Sequence, residues 1–349
     1  MDDNAIRALR LERQRLLDPV AREEEYAALF RLMQPVKAVA FSCPGDPPCL
    51  TYRCAMGDRR FTDPWRAGRV LVKGRFQNGT VGYIFAEDWD LYAAVYRRPA
   101  DLSDPNLRGL YELLSREAPM TIRQIKETTG MPAKAITPLL HKLQQAFLVY
   151  EDQTDSDWER GWYLFSSEFP GVDPERIPRE EAIRALARRL LEAQVFVDAS
   201  MLRDYYAVTL KEAAGALAAL EQAGETFPVV FDGRSGFVHA ADRFRLEQPA
   251  APIASPVFSL HLNDPLVKAN ASRLHGRFAP GDVLQYLFMD GEFVGAVTGK
   301  WRQGPHDLWE IRVALPPEEA ERRREEIREA VRREYPHLEE SGCGFCSVG

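Results

Sequence analysis

Residues 121–165 restrict the fold of this chain more than any other stretch. Thr121 and Gln124 have the spacing of a capping box, in which each residue's side chain bonds to the other's backbone N–H. Ile122 and Ile125 begin an apolar helix face, and Gly130 is expected to end the helix. The pattern therefore predicts a short helix with a defined start and a defined end.

A second helix is predicted directly after the first. Apolar residues at helical spacing cover Ala133–Ala146, with Lys134 and Lys142 on the polar side. Proline fits best at the first position of a helix, so Pro138 predicts that the regular part starts after Thr137.

A hairpin is expected to complete this segment. Its strands are predicted at 147–149 and 162–165, with the polar residues 152–160 as the turn. Two helices followed by a hairpin are typical of a winged helix, whose commonest use is to place a helix in a groove of duplex DNA. Some winged helices instead serve as protein–protein scaffolds.

Two other segments repeat the order of two helices and a hairpin. In the N-terminal one, Ser42–Trp65 is read as an inserted loop, and Asn78-Gly79 is a strong hairpin signal. Its predicted elements are the helices Asn4–Leu17 and Arg22–Met33 and the strands Arg69–Phe76 and Val81–Phe85. The later segment has predicted helices at Arg179–Ala193 and Leu210–Ala223 and predicted strands at Phe227–Phe231 and Gly236–Ala240.

The C-terminal region has a different pattern, after a proline-containing linker at Gln248–Pro256. A hairpin is predicted around Asp290-Gly291, then a strand at Trp309–Leu315 and a charged helix at Pro316–Arg333. Asp264-Pro265-Leu266 and the residues 304–307 are polar turns that either contact a ligand or serve the backbone alone.

Together these patterns predict a helix-rich α+β protein with three tandem winged-helix modules and a C-terminal β-rich domain that carries a terminal helix. The predicted boundaries are 1–98, 101–167, 178–245 and 257–349.

The charge is unevenly distributed along the chain. The net charge is −7, yet residues 1–150 contain 22 Lys and Arg against 18 Asp and Glu, while the remaining residues contain 23 against 34. A basic run favours phosphate contacts, with a solvated face as the alternative. The run consists of Arg53, Arg59, Arg60, Arg66, Arg69, Lys73 and Arg75.

Composition also bears on the compartment. No apolar run is long enough for a bilayer, and the start of the chain is acidic where a signal peptide is basic, so a cytoplasmic protein is expected. The odd number of cysteines argues against a disulfide framework. Cys343 and Cys346, with Cys43, Cys49 and Cys54, are weak candidates for a metal site; inert thiols in a flexible tail are favoured.

Several segments, taken in order, resemble the AlkZ-type DNA glycosylases. They are Arg10–Leu17, Leu32–Val36, Leu50–Arg53, the hairpin Asn78–Tyr83 followed by Asp88, and Asp264–Leu266. The resemblance implies tandem winged helices and hydrolysis of the N-glycosidic bond of alkylated or crosslinked purines in DNA. It also implies a Gln-x-Gln or Gln-x-Asp motif that orients the attacking water.

The motif positions implied by this resemblance are only partly retained. The first falls on Gln34 and the second on Val36, which cannot orient water. The family's Arg-Gly-Thr-x-His signature falls on residues 78–82, where Asn78 replaces the arginine and Gly82 the histidine. Gln34 is therefore the candidate catalytic residue, with a helix-capping amide as the alternative. Glu87, Asp88 and Asp90 could reach Gln34 only through the fold, and a solvated strand end is favoured for them.

The sequence favours a protein that binds duplex DNA with a degenerate catalytic motif, for recognition of damaged or modified bases. The alternatives are an active DNA N-glycosylase and a winged-helix transcriptional regulator. No cofactor and no obligate protein partner is expected. The predicted DNA-contact residues are Arg10, Gln14, Arg53, Arg75, Asn78, Thr80, Lys134 and Lys142.

Overall fold

A computed structural model describes residues 2–39, 46–152, 159–173, 175–248, 250, 253–278, 282–302 and 304–347. Within it the chain forms two compact units, each built from separate segments. The first unit contains Met1–Glu25, Leu50–Met56 and Ala187–Gly349; the second contains Tyr26–Cys49 and Gly57–Leu186.

The helices and strands of the described residues follow in chain order. The helices are α1 (Asp3–Arg13), α2 (Glu23–Met33), α3 (Arg59–Ala67), α4 (Trp89–Tyr96), α5 (Pro105–Glu117), α6 (Ile122–Thr129), α7 (Ala133–Gln145), α8 (Phe165–Glu168), α9 (Arg179–Gln194), α10 (Ala199–Tyr206), α11 (Leu210–Gln222), α12 (Arg243–Leu246), α13 (Pro265–Ala269), α14 (Ala271–Arg277), α15 (Pro317–Arg322) and α16 (Arg324–Glu334). The strands are β1 (Leu71–Phe76), β2 (Thr80–Phe85), β3 (Val149–Asp152), β4 (Gly161–Leu164), β5 (Phe196–Val197), β6 (Thr226–Phe231), β7 (Arg234–His239), β8 (Phe258–His261), β9 (Val283–Met289), β10 (Glu292–Lys300), β11 (Asp307–Val313) and β12 (Gly344–Ser347).

The capping signals around α6 are confirmed. Thr121 and Gln124 make both bonds of the capping box, and Gly130 ends the helix in the left-handed conformation (φ 71°). The predicted start of the next helix is wrong, because α7 begins at Ala133 and contains Pro138 in its interior. Apolar residues of α5, α6, α7, β3 and β4 form the core here, which outweighs the hydrogen bond that Pro138 cannot donate.

The N-terminal elements are also close to their predicted positions. The hairpin β1–β2 is antiparallel, and Asn78 in its turn adopts a positive φ of 65°. Helix α1 ends four residues earlier than predicted, because Arg15 has a left-handed backbone (φ 55°). The predicted inserted loop instead contains the start of helix α3, whose Phe61 and Trp65 are buried.

The first unit contains two sheets in the described residues. Strands β5, β7 and β6 form a small antiparallel sheet, and the turn between β6 and β7 is Asp232-Gly233, both with positive φ. The larger sheet has the order β12-β11-β10-β9-β8. Strands β8 and β12 were not predicted, and the tail read as flexible instead pairs in parallel with β11 through Gly344–Ser347. The single terminal helix of the prediction is split into α15 and α16 at Arg323.

One buried ion pair connects distant segments of the first unit. The Arg53 guanidinium donates to both carboxylate oxygens of Asp264, at 2.7 and 3.1 Å, and both side chains are essentially inaccessible to solvent. Gln14 at the end of α1 accepts two further bonds from Arg53 and donates to the carbonyl of Ala193. Asp264 also caps α13 through the N–H of Leu266. One cation thus joins α1, the 50–56 segment and α13.

No helix in the described part of the chain is long and apolar enough to cross a membrane.

Loss of this ion pair is expected to destabilise the first unit. Asp264→Asn keeps a side chain that can cap α13 but leaves the buried Arg53 without its counter-charge, so the free energy of unfolding should fall by about 3–5 kcal/mol. Urea unfolding followed by circular dichroism measures the change. The control is Glu321→Gln, whose partner Arg324 is exposed; that loss should be about 1 kcal/mol or less. Equal losses in the two variants would contradict this role for Arg53.

Candidate functional site

The chain that follows α2 adds to the β1–β2 hairpin of the second unit. Val36 forms an antiparallel bridge with Tyr83, with backbone bonds of 2.9 and 2.8 Å in the two directions. This bridge fixes Gln34 and Val36, the two candidate motif positions, against strand β2. Both side chains are buried, Gln34 completely and Val36 to 2% exposure.

The Gln34 side chain is held by groups of its own unit. Its Oε1 accepts from the N–H of Phe85 at 2.9 Å, and its Nε2 donates to the carboxylate of Asp88. Its backbone carbonyl accepts from the Tyr92 hydroxyl at 2.9 Å. The amide therefore joins the end of α2 to the end of β2, a structural role that differs from the helix capping suggested by the sequence.

Asp88 is the more accessible member of the Gln34–Asp88 pair. Its side chain is 11% exposed, and Arg31 Nε lies 3.8 Å from it. The sequence favoured a solvated strand end for Asp88 and left open that the fold could bring it to Gln34; the structure does bring the carboxylate onto Gln34, across 54 positions of the chain. A partly exposed carboxylate held by an amide is able to accept a proton from a bound water. In the sequence, the only indication of a role for Asp88 is its position directly after the β1–β2 hairpin.

Gly82, at the position of the family's histidine, lies in a packed environment. A Cβ atom added there would lie 3.0 Å from the Cβ of Pro35 and 3.6 Å from the ring of Phe76. The strand at this point fits a residue without a side chain. Larger residues at position 82 require Pro35 to move.

Two buried cations, Lys37 after the bridge and Arg66 on α3, lie against the hairpin. Lys37 Nζ donates to Oγ1 of Thr80 at 2.8 Å, and the guanidinium of Arg66 lies 5.5 Å from the ring centre of Tyr83. Lys37 and Arg66 are both buried. Thr80, a predicted DNA-contact residue, is exposed at the start of β2.

A three-charge cluster joins β1 to the β3–β4 hairpin. Glu151 is fully buried and lies 2.9 Å from Lys73 Nζ and 2.8 Å from Arg160. Burial acts to raise the pKa of Glu151, but the two cations outweigh it and lower the pKa to about 2. Burial lowers the pKa of Lys73, and Glu151 opposes that shift. The sequence listed Lys73 in a basic run and missed its carboxylate partner.

Arg75 connects β1 to helix α7. Its guanidinium donates to Gln144 Oε1 at 2.8 Å and to the carbonyl of Gly79 at 3.1 Å, and it lies 2.8 Å from Nε2 of His141. Burial and then the charge of Arg75 lower the pKa of His141 to about 4, so this imidazole is neutral at pH 7 and can accept from Arg75. Arg75 was predicted to contact DNA, and the structure places it between the hairpin and α7.

The other predicted contact residues divide into buried and exposed groups. Arg10 and Gln14 are buried in the first unit, where Arg10 donates to the carbonyl of Gln194 and Gln14 belongs to the Arg53 network. Arg53 is buried in that network as well, so its guanidinium is occupied inside the protein. The exposed group consists of Asn78 in the hairpin turn and of Lys134 and Lys142 on α7.

The cysteines are not gathered into a metal site in the described residues. No group of three or more His, Cys, Asp or Glu side chains suited to a metal ion is found there. Cys343 is a thiol in the core of the larger sheet, Cys346 lies on β12, and Cys49 donates to Asp58. Cys54 lies in the 50–56 segment, where its backbone forms a bridge with Val20, and Cys43 lies outside the described residues.

The fold is that of a known DNA glycosylase. The Streptomyces sahachiroi DNA glycosylase AlkZ matches with a TM-score of 0.65 over 99% of both chains at 15% sequence identity, a likeness of fold alone. A family model described as DNA glycosylase AlkZ-like matches residues 55–279, well over half of the chain, so the protein belongs to the AlkZ-like DNA glycosylase family. The search of curated proteins gave no match. The matched residues include Asp88 and Asp264 but begin after Gln34 and Val36.

The Glu151 cluster predicts a specific dependence of the free energy of unfolding on pH. Glu151→Gln leaves Lys73 and Arg160 without their carboxylate and should lower the free energy of unfolding by about 3 kcal/mol or more near neutral pH. Because the folded pKa lies below its ordinary value of 4.5, the carboxylate stabilises the fold above pH 4.5 and loses this effect as the pH falls toward 2. The difference between the natural protein and the variant should therefore shrink over that range.

Unfolding free energies of both proteins, measured from pH 7 down to the acid limit of folding, check this expectation. Glu112→Gln, which removes an exposed carboxylate of α5, is the control. A difference that stays constant as the pH falls would argue against a paired, ionised Glu151.

Proposed function

We propose that this protein binds duplex DNA and recognises damaged or modified sites, and that its residues at the family's motif positions serve the fold. The observation that carries the proposal is the burial of the Gln34 amide. Its Oε1 and Nε2 atoms are both hydrogen-bonded within the second unit, and the side chain is inaccessible to solvent. Val36 and Gly82 support it, because both pack as apolar positions. None of the three presents a polar group to an attacking water.

The arrangement of elements in the second unit supports DNA as the partner. Helices α6 and α7 followed by the hairpin β3–β4 have the order of a winged helix, and we interpret α7 as the helix that enters a groove. Lys134 and Lys142 are exposed on α7, where they are available to phosphates. Hairpins that follow helices at β1–β2 and β6–β7 support the interpretation of a tandem array.

A second candidate function is N-glycosylase activity through Asp88. The specific observation in its favour is the position of this carboxylate, partly exposed and held by the motif glutamine. In this alternative, Asp88 orients and deprotonates the water that attacks the sugar carbon, while Gln34 positions the carboxylate. The two proposals share the DNA partner and differ in whether a base is released.

DNA binding should depend strongly on salt and on α7. Replacement of Lys134 and Lys142 by glutamine is expected to weaken binding to duplex DNA of any sequence and to reduce the log–log salt slope by up to about 2, since each lost phosphate contact contributes roughly 0.9. Fluorescence anisotropy across a salt series measures both quantities. The control removes two exposed arginines of the C-terminal region, Arg322→Gln and Arg333→Gln. A salt-independent affinity, or an equal loss in the control, would count against α7 as the contact surface.

Base release separates the two candidate functions. Incubation with alkylated duplex DNA, with mass spectrometry of the freed bases, should detect no release by the natural protein if the motif positions serve only the fold. If Asp88 acts as the base, release should occur and Asp88→Asn should reduce it by about 10²- to 10⁴-fold. DNA affinity of the variant, measured alongside, should be unchanged. Release that is indifferent to Asp88→Asn would contradict both proposals.

A further inference from the structure

A cavity of about 490 Å³ opens at one end of the larger sheet in the first unit. Strand β8 ends there at His261, β9 begins at Val283, β10 ends at Lys300 and β11 begins at Asp307. The pairing of β10 shifts register at Val297/Thr298 and again at Thr298/Gly299, and bulges of this kind are common beside binding sites. The size falls within the range of small-molecule sites.

The lining is aromatic and rich in imidazole. It includes Trp301, which is 54% exposed, and the rings of Tyr286, Tyr335, His261 and His306. The His306 ring is tilted against two others, with its centre 5.9 Å from that of Trp301 and 5.8 Å from that of Tyr335. The exposed ring of Trp301 offers a surface on which another flat ring can stack.

The polar groups of the lining suit an uncharged partner. Burial lowers the pKa of His261 to about 4, so the ring is neutral at pH 7. Its Nδ1 accepts from the N–H of Asn263 at 3.0 Å, which assigns the ring proton to Nε2 and makes that atom a donor. Asp282 adds a carboxylate, and the lining residues that the structure describes include neither lysine nor arginine. A phosphate in the cavity would meet this carboxylate with no lysine or arginine among the described lining residues to offset it.

We propose that this cavity binds the nucleobase of a nucleoside, stacked against Trp301 and His306 and bonded at its edge by Nε2 of His261. The cavity belongs to the first unit and α7 to the second, and nothing in the proposal depends on base release. The shared chemistry is a planar nitrogen heterocycle, available either as a free nucleoside or as an unpaired base within a strand.

Isothermal titration calorimetry with adenosine and with guanosine tests the proposal on the full chain. Saturable binding is expected, and Trp301→Leu should weaken it by about 5- to 150-fold, the range for loss of one stacking partner. Trp309→Leu is the matched control, because Trp309 is 49% exposed on the same sheet and does not line the cavity. A short single-stranded oligonucleotide forms the second arm and distinguishes a base within a strand from a free nucleoside.

The charge of Asp282 provides a second, independent test of the proposal. The natural protein should bind adenosine more tightly than adenosine 5′-monophosphate, and Asp282→Asn should narrow this preference by up to about fivefold, the effect of one exposed charge. Asparagine is suited to this position, because Asp282 has a positive φ of 42°. Binding by neither nucleoside nor oligonucleotide, an equal loss in Trp309→Leu, or a preference for the monophosphate would each overturn the proposal. Unchanged DNA binding by α7 in the same preparations would show that such a failure concerns this cavity alone.

Discussion

The first unit depends on a positive charge buried where water cannot reach it. The guanidinium of Arg53 is bonded to Asp264 and Gln14, and these three residues come from three parts of the chain. A buried cation is tolerated only with its counter-charge and with its N–H groups satisfied, so the pair fixes the geometry of every segment that contributes to it. Leu50–Arg53 and Asp264–Leu266 carried part of the family resemblance, and the structure joins them in this one interaction. Through this interaction both segments stabilise the fold of the first unit.

The second unit uses cations in the same way. Lys73 and Arg160 surround Glu151, and Arg75 joins β1 to α7 through Gln144 and His141. The basic run seen in the sequence is consequently not one surface stripe, because Arg53, Arg66 and Lys73 are buried. Candidate contacts with DNA are better sought among exposed side chains such as those of Lys134 and Lys142 than among all cations of the hairpin.

The sequence predicts what neighbouring residues determine. The capping box at Thr121, the turn at Asp290-Gly291 and most hairpin strands depend on local backbone preferences, and they lie where they were expected. Contacts between distant residues were missed, including Gln34 with Asp88, Lys73 with Glu151 and the parallel pairing of β12 with β11. No local pattern encodes these partners, since each depends on packing that only the complete fold supplies. The domain boundaries, the functional roles of the contact residues and the cytoplasmic location stay predictions.

The Arg53–Asp264 pair also sets an order of events during synthesis. Arg53 leaves the ribosome 211 residues before Asp264, whereas every segment of the second unit lies before residue 187. Domains generally fold as units while the chain is still being made. The second unit can therefore fold while the ribosome is still translating the chain. At that stage Arg53 and helix α1 are still exposed to water, because Asp264 has not yet been translated. A nascent chain stalled before residue 264 should accordingly have a protease-resistant centre and an N terminus that is still cleaved.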